Sequence, residues 1–128
     1  MSFYFSKIVN YSFEETLFKV NAELMKEGFG VLSEIDVQAT LKKKLNIDFR
    51  KYKILGACNP TFAFKALSTE DKVGVLLPCN VVVQEKSDNK IEIAIINPIE
   101  AMQVVNNNAL DEIATEVTIK LQKVLENI

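Results

Sequence analysis

The sequence contains no histidine and no tryptophan, and it has only two cysteines, three prolines and four glycines among its 128 residues. Without histidine the chain lacks the commonest general base and the commonest metal ligand. Apolar residues make up 48% and charged residues 25% of the chain, a composition that excludes a disordered class. No apolar run approaches the roughly 20 residues of a membrane-spanning helix, so we expect no contact with a membrane.

Positive and negative charges nearly balance each other, with 15 basic and 17 acidic residues and a net charge of −2. Nucleic-acid binding requires clustered Lys and Arg, so we expect no nucleic-acid partner. Two cysteines in a chain of this length indicate free thiols in a reducing compartment. Residues 1–7 lack the basic-then-apolar order of a signal peptide. We therefore expect a cytoplasmic protein, and we expect no cofactor.

The chain is predicted to form a single domain over residues 1–128, because no linker or repeat divides it. Alternating or continuous apolar runs predict strands over residues 3–9, 30–36, 52–58, 73–83 and 90–96. Within the fourth run Pro78 predicts a bulge or an unpaired edge, since proline cannot donate a ladder hydrogen bond. Ser87-Asp88-Asn89 is predicted to form the turn before the last strand.

Helical spacing of apolar residues predicts long helices over 13–27 and 109–127, with shorter helices around Leu41–Leu45 and Phe62–Leu67. Ser12, Asp36, Asn59 and Asn108 are predicted to cap them. Each long helix has one apolar stripe, so both must cover the same face of the sheet. The predicted core consists of Leu17, Val20, Leu24, Val75, Leu77, Ile93, Ile95, Ile113, Val117 and Leu121.

Four segments resemble the domain of unknown function 302 family: residues 28–37 (GFGVLSEIDV), 40–42 (TLK), 54–60 (ILGACNP) and 76–83 (LLPCNVVV). The resemblance implies an α+β, two-layer β-α-β4-α fold of the TATA-box-binding-protein-like topology, with a mainly antiparallel sheet packed by two long helices. It implies a homodimer, and it implies no DNA binding and no known reaction. It also implies a His or Tyr followed by a basic residue soon after Asn-Pro; this chain has Phe64 and Lys65 there, so a mechanism that needs that His is not expected.

The two thiols are the most distinctive candidate site residues. Cys58 stands directly before Asn59-Pro60, where the positive end of a helix dipole would favour its thiolate form. Cys79 stands in the similar tripeptide Pro78-Cys79-Asn80. If strands 52–58 and 75–84 are antiparallel neighbours, both thiols could line one pocket. The alternative is that both cysteines are small, inert core residues.

Charged residues supply the other candidates. Period-two alternation would put Glu34 and Asp36 on one strand face, opposite Val31 and Ile35, where two carboxylates could act together. Asp36 is equally well explained as a helix cap. The basic stretch 42–53 offers Lys42 to an anionic ligand, although a solvated lysine run needs only water. We expect no metal, because His and Cys-x-x-Cys spacing are absent.

Three functions remain open from the sequence. The first is a small ligand-binding module whose pocket combines polar groups and thiols, with these predicted site residues: Glu34, Asp36, Lys42, Cys58, Asn59, Cys79 and Asn80. The second is a thiol-dependent enzyme or sulfur carrier that uses Cys58 as its catalytic thiol. The third is a protein-interaction subunit. The residues alone do not decide whether the chain catalyses a reaction.

Overall fold

Five strands form one antiparallel sheet within residues 2–128, the part of the chain that the computed structural model describes, the side chain of Asp88 excepted. Met1, the first of the N-terminal residues considered above, lies outside the described residues. The strands are β1 (Tyr4–Val9), β2 (Gly30–Asp36), β3 (Tyr52–Cys58), β4 (Cys79–Glu85) and β5 (Ile91–Ile96). Their order across the sheet is β1-β5-β4-β3-β2, so β1 and β2 form its edges.

Five α-helices lie within the described residues, and the first two begin directly after the predicted capping residues Ser12 and Asp36. They are α1 (Phe13–Lys26), α2 (Val37–Leu45), α3 (Pro60–Thr69), α4 (Pro98–Met102) and α5 (Asp111–Glu126). The Ser12 hydroxyl accepts a hydrogen bond from the Glu15 amide at 3.0 Å, and an Asp36 carboxylate oxygen accepts one from the Ala39 amide at 2.9 Å. Both bonds satisfy first-turn N–H groups that have no partner within their own helix.

One face of the sheet carries the core, and α1 and α5 both pack on it. Val20 and Leu24 of α1 and Leu121 of α5 are fully buried against Val81 of β4 and Ile93 of β5. The two-layer α+β fold with the order β-α-β4-α is therefore confirmed. Six predicted core residues are buried: Val20, Leu24, Ile93, Ile95, Val117 and Leu121. Leu17, Leu77 and Ile113 are partly buried around the core clusters.

The prediction of a strand over residues 73–83 is wrong in its first half. Residues Asp71–Leu76 form a 3₁₀ helix, and β4 begins only at Cys79. Val75, predicted as a core residue, is 85% exposed. An apolar run of this length does not distinguish a strand from a helix, and Pro78, which follows a cis peptide bond, marks where the strand pairing starts.

The end of the chain departs from its prediction in two details. Asn108 lies inside a 3₁₀ turn, Asn108–Leu110, which precedes α5, and the residue that caps this turn is Asn107. The short helix α4 was not predicted, although it starts with Asn97-Pro98, the same pair that starts α3. The Asn97 side chain accepts a hydrogen bond from the Ile99 amide at 3.2 Å, which caps α4.

A β-bulge in β2 changes which of its side chains share a face. The pairing with β3 shifts between Val31 and Ser33, so Val31 pairs with Ala57 and packs against the core. Ile35, two pleats later, pairs with Ile54 on the other face and is 50% exposed. The prediction that Val31 and Ile35 share a face is therefore wrong, because the extra residue in the bulge reverses the alternation.

Candidate ligand-binding cavity

An apolar cavity of about 330 Å³ lies between one end of the sheet and the helices that follow it. The end of β3, the start of β4, the segment 74–78 and helices α3, α4 and α5 all contribute to its wall. Small side chains leave room for it, because alanine occupies four lining positions on three elements, β3, α3 and α5: Ala57, Ala63, Ala66 and Ala114.

The mouth of the cavity lies beside the bulge in β2. Leu32, the residue skipped by the strand pairing, is 72% exposed and lines the cavity, as does Leu67 of α3, which is 43% exposed. Phe29 and Val117 line its deeper part, where they are buried. The cavity therefore leads from exposed leucines to buried core side chains.

Both cysteines lie in the wall of this cavity and both are free thiols. Cys79 pairs directly with Ala57 across β3 and β4, and Cys58 is the next residue after Ala57. The two strands are antiparallel neighbours, as the sequence reasoning required for a shared pocket. Burial raises the pKa of the Cys79 thiol to about 11, and the nearby Cys58 sulfur acts in the same direction.

Asn59 lines the cavity as well, but its side chain does not cap α3. Its amide nitrogen instead donates a hydrogen bond to the carbonyl oxygen of Glu27 at 3.3 Å. This bond joins the end of α1 to the start of α3. Gly28 allows the approach, because its φ of +85° suits glycine and a Cβ atom there would lie 3.0 Å from the Asn59 amide nitrogen.

The structure brings together three of the seven predicted site residues: Cys58, Asn59 and Cys79 line the cavity. Glu34 and Asp36 lie at the other end of the paired strands, where Lys53 Nζ donates to a Glu34 carboxylate oxygen at 2.6 Å. Glu34 pairs with Leu55 and Asp36 with Lys53, three and five residues from Cys58 along β3, which corresponds to about 10 and 17 Å. These carboxylates therefore do not share a site with the thiols.

Lys42 and Asn80 also lie outside the cavity wall. Lys42 forms an exposed ion pair with Asp48 at 3.0 Å on the far side of α2. Asn80 follows Cys79 but is exposed and pairs with Gly56, on the sheet face that the helices leave open. The strand alternation that turns Cys79 inward turns Asn80 outward.

A second, smaller groove of about 170 Å³ lies near the Glu34–Lys53 pair, between α1 and the far end of β3. Its charged groups are already paired: Lys51 lies 3.4 Å from Glu14, and Asp36 caps α2. Hydrogen bonding to Glu34 raises the pKa of Lys53, with the charges of Glu34 and Asp36 acting in the same direction. We therefore regard this groove as a set of surface ion pairs and treat the apolar cavity as the candidate site.

Sequence reasoning missed Met102 of α4 and Leu110, Ala114 and Val117 around α5 as cavity residues. The signal for α4 was present, because Asn97-Pro98 repeats the Asn59-Pro60 pair. No local signal shows that α3, α4 and α5 meet over the end of the sheet, because that arrangement depends on contacts between residues far apart in the chain.

Comparison with known proteins places the chain in a family. The model of the family described as "Domain of unknown function DUF302" matches residues 5–128, nearly the whole chain. The chain belongs to the DUF302 family. It is 31% identical to an uncharacterized conserved DUF302 protein from Bacillus stearothermophilus, whose crystal structure it matches with a TM-score of 0.92. That match covers 99% of this chain and 98% of the other, so the whole DUF302 fold is shared.

The family relationship shows the fold of this chain but does not show an activity. The family is defined as one of unknown function, and the solved relative is uncharacterized. No curated protein sequence matches this chain. Within residues 2–128, no helix is both long enough and apolar enough to cross a membrane. Any function of this DUF302 chain must therefore be argued from its own cavity.

Proposed function

We propose that this protein binds a small, largely apolar molecule in the cavity bounded by Cys58, Cys79 and α3 to α5. The observation that carries the proposal is the cavity itself, about 330 Å³ of space lined almost entirely by apolar side chains. Ligand sites are typically concave, mostly apolar and equipped with a few polar groups, and their volumes begin near 300 Å³. This cavity meets each of those criteria.

The volume and lining select a class of ligand. An apolar protein cavity of about 150 Å³ is large enough for benzene. The present cavity is about twice that size, which favours a two-ring aromatic molecule or an aliphatic chain of similar volume. An ionised ligand is disfavoured, because a buried charge needs a partner and the wall offers only the thiols and the Asn59 amide as polar side chains.

Binding of the uncharged two-ring fluorophore 1-aminonaphthalene tests the proposal, and the absence of tryptophan keeps the protein's own emission low. Ala63→Leu fills the cavity from α3, whereas Ala39→Leu makes the same change at an exposed position on α2. We expect saturable binding at one site per chain, weakened about tenfold or more by Ala63→Leu and unchanged by Ala39→Leu. Filling empty space should preserve stability, so lost binding would not reflect unfolding. Absence of saturable binding, or equal binding by the two variants, would refute the proposal.

We also propose that the protein is a cytoplasmic homodimer that associates through the open face of its sheet. Helices α1 and α5 cover one face, and the other carries half-exposed Tyr4, Ile8 and Ile35 beside partly buried Ile54 and Val82. Exposed apolar side chains grouped on one sheet face are typical of an interface. A second copy suits it because the same face carries both Arg50 and Glu92, joined through Gln84, so a two-fold partner would present opposite charges.

The alternative of a thiol-dependent enzyme or sulfur carrier depends on Cys58. Its support is the position of Cys58 directly before Asn59, the N-cap residue of α3, whose side chain does not cap the first turn of that helix. A nucleophilic thiol also needs access to its substrate, and Cys58 is only half-buried. The alkylation experiment described in the Discussion separates this alternative from a purely structural thiol.

A further inference from the structure

The buried apolar residues within positions 2–128 form two separate clusters, and both contribute to the cavity wall. The main core joins the sheet to α1 and α5. The second cluster is small and has three buried members: Ala66, Val73 and Leu110. The wall contains Val117 and Phe29 from the main core together with Ala66 and Leu110 from the second cluster. An apolar molecule in the cavity would therefore contact both clusters.

The second cluster belongs to two chain segments, residues 60–78 and 99–110, which we call the cap. The cap contains α3, the 3₁₀ helix Asp71–Leu76, most of α4 and the two 3₁₀ turns before α5. In these two segments the only buried residues are Ala66, Val73 and Leu110. Phe62, near the start of α3, also packs against the main core, so the cap is attached there. The cap thus has a small core of its own.

We infer that the cap opens as one cooperative unit while the sheet, α1 and α5 stay folded, and that the apolar ligand binds only when the cap is closed. Segments with few buried apolar contacts open at a lower free energy than the core of a protein. An unfilled space also deprives the side chains that border it of packing partners, which weakens the contact between the cap and the main core. The role of the ligand rests on the proposed function, whereas the separate opening of the cap does not.

Ligand binding would control the cap by mass action. If only the closed form binds the ligand, a free ligand concentration about ten times Kd lowers the population of the open form about tenfold. The empty protein opens its cap more often than the loaded protein does. The conformation of the cap therefore reports whether the cavity is filled.

Amide hydrogen exchange followed by NMR tests this inference. Three hydrogen-bonded amides sample both cap segments: the Glu70 amide donates to the Ala66 carbonyl at 2.9 Å, the Val73 amide to the Glu70 carbonyl at 3.1 Å and the Leu110 amide to the Asn107 carbonyl at 3.0 Å. In the ligand-free protein we expect these amides to share one opening free energy, lower than that of the Ile93 amide in β5. With 1-aminonaphthalene at about ten times Kd, each should exchange about tenfold more slowly. The amides of α2, a helix with no buried residue and no part in the cavity wall, should not slow.

Two valine-to-alanine changes separate the cap from the main core. Val73 belongs to the cap and Val124 to the main core; both are 1% exposed, and neither lines the cavity. Val73→Ala should speed exchange of the cap amides about tenfold or more, because closing the cap no longer buries the valine methyl groups. Val124→Ala should speed exchange of the Ile93 amide by a similar factor and leave the cap amides unchanged, because the contacts of Val124 persist when the cap opens.

Several results would contradict the inference. Faster exchange of the cap amides in Val124→Ala, or one opening free energy shared by the cap amides and Ile93, would show that the protein opens as a single unit. Fluorophore binding that leaves cap exchange unchanged would overturn the role of the ligand in closing the cap. Absence of fluorophore binding would overturn the proposed function and this role with it. The exchange pattern of the ligand-free wild type, which needs no variant to fold, would still decide whether the cap opens separately.

Discussion

The ring of Pro78 lies over Gly56, so closely that a Cβ atom on Gly56 would come within 2.7 Å of Pro78 Cγ and would overlap the Ser33 hydroxyl. Gly56 lies in the second half of β3 and pairs with Ser33 of the bulged edge strand β2. The absence of a side chain at Gly56 therefore lets the bulge of β2 and the start of β4 approach the same point, next to the cavity.

We predict that Gly56→Ala destabilises the protein by about 1–3 kcal/mol, the usual cost of forcing extra volume into a packed site. Urea unfolding followed by circular dichroism measures this free energy. Gly30→Ala is the matched control, because a Cβ atom at Gly30 meets nothing within 4 Å. Equal midpoints for the two variants would show that Ser33 and Pro78 move aside without cost.

A second prediction concerns the helix layer. Leu121 of α5 is fully buried in the main core, so Leu121→Ala should lower the free energy of unfolding by about 2–5 kcal/mol. Leu45→Ala on α2, where the side chain is 61% exposed, should change it by no more than about 0.5 kcal/mol. A denaturant midpoint unchanged by Leu121→Ala would mean that α5 does not pack on the sheet as described.

Sequence patterns were reliable where a short-range interaction determines the structure. Ser12 and Asp36 cap helices at the predicted residues, and β2 and β3 have the predicted bounds. The run from Val73 to Val83 was misread because apolar continuity is shared by buried strands and by helices that cover a core. Pro78 indicated that the strand does not extend through the whole run, and it lies at the boundary between the 3₁₀ helix and β4.

The candidate site was only partly predictable for a related reason. The similar tripeptides around Cys58 and Cys79 indicated a shared pocket, and the antiparallel pairing of β3 with β4 places both there. Glu34 and Asp36 were wrongly included among the predicted site residues. Their distance from Cys58 depends on the register between β2 and β3, which the sequence does not show. Met102 was not considered at all, since its place in the cavity depends on the packing of α4 against α5.

The thiols provide a third prediction. Burial raises the pKa of Cys79 to about 11, so in the Cys58→Ser protein alkylation should be slow at pH 7 and should accelerate towards pH 11. In the Cys79→Ser protein, half-buried Cys58 should react faster at pH 7. Rates of iodoacetamide modification measured against pH test both statements. If Cys58 reacts only after unfolding, it is structural and the enzyme alternative falls.

The pKa of Cys79 also predicts a pH dependence of stability. Its folded-state value of about 11 exceeds the ordinary value of 9.0, so the folded state favours the protonated thiol. The resulting stabilisation is complete below about pH 9 and is lost as the pH rises towards 11. Urea midpoints should therefore fall more steeply over this range for the wild type than for Cys79→Ala. Parallel curves would contradict burial of the thiol.

A further prediction tests the proposed dimer. Val82 lies in the middle of the open sheet face, paired with Ile54 and Ala94. Val82→Lys should convert the dimer to a monomer in analytical ultracentrifugation, because a lysine there would be buried without a partner. Val104→Lys is the control, since Val104 is 76% exposed on a different surface. A wild-type monomer at high micromolar concentration would remove the proposal.

The central claim, that the cavity takes up an apolar molecule, is tested most directly by methyl NMR of protein labelled at its methionine methyl groups and titrated with naphthalene. Met102 lines the cavity and Met25 is exposed on α1, so the chain contains its own reference signal. The account predicts a saturable shift of the Met102 methyl resonance and no shift of Met25. A Met102 resonance that stays fixed, or that moves only in parallel with Met25, would contradict it.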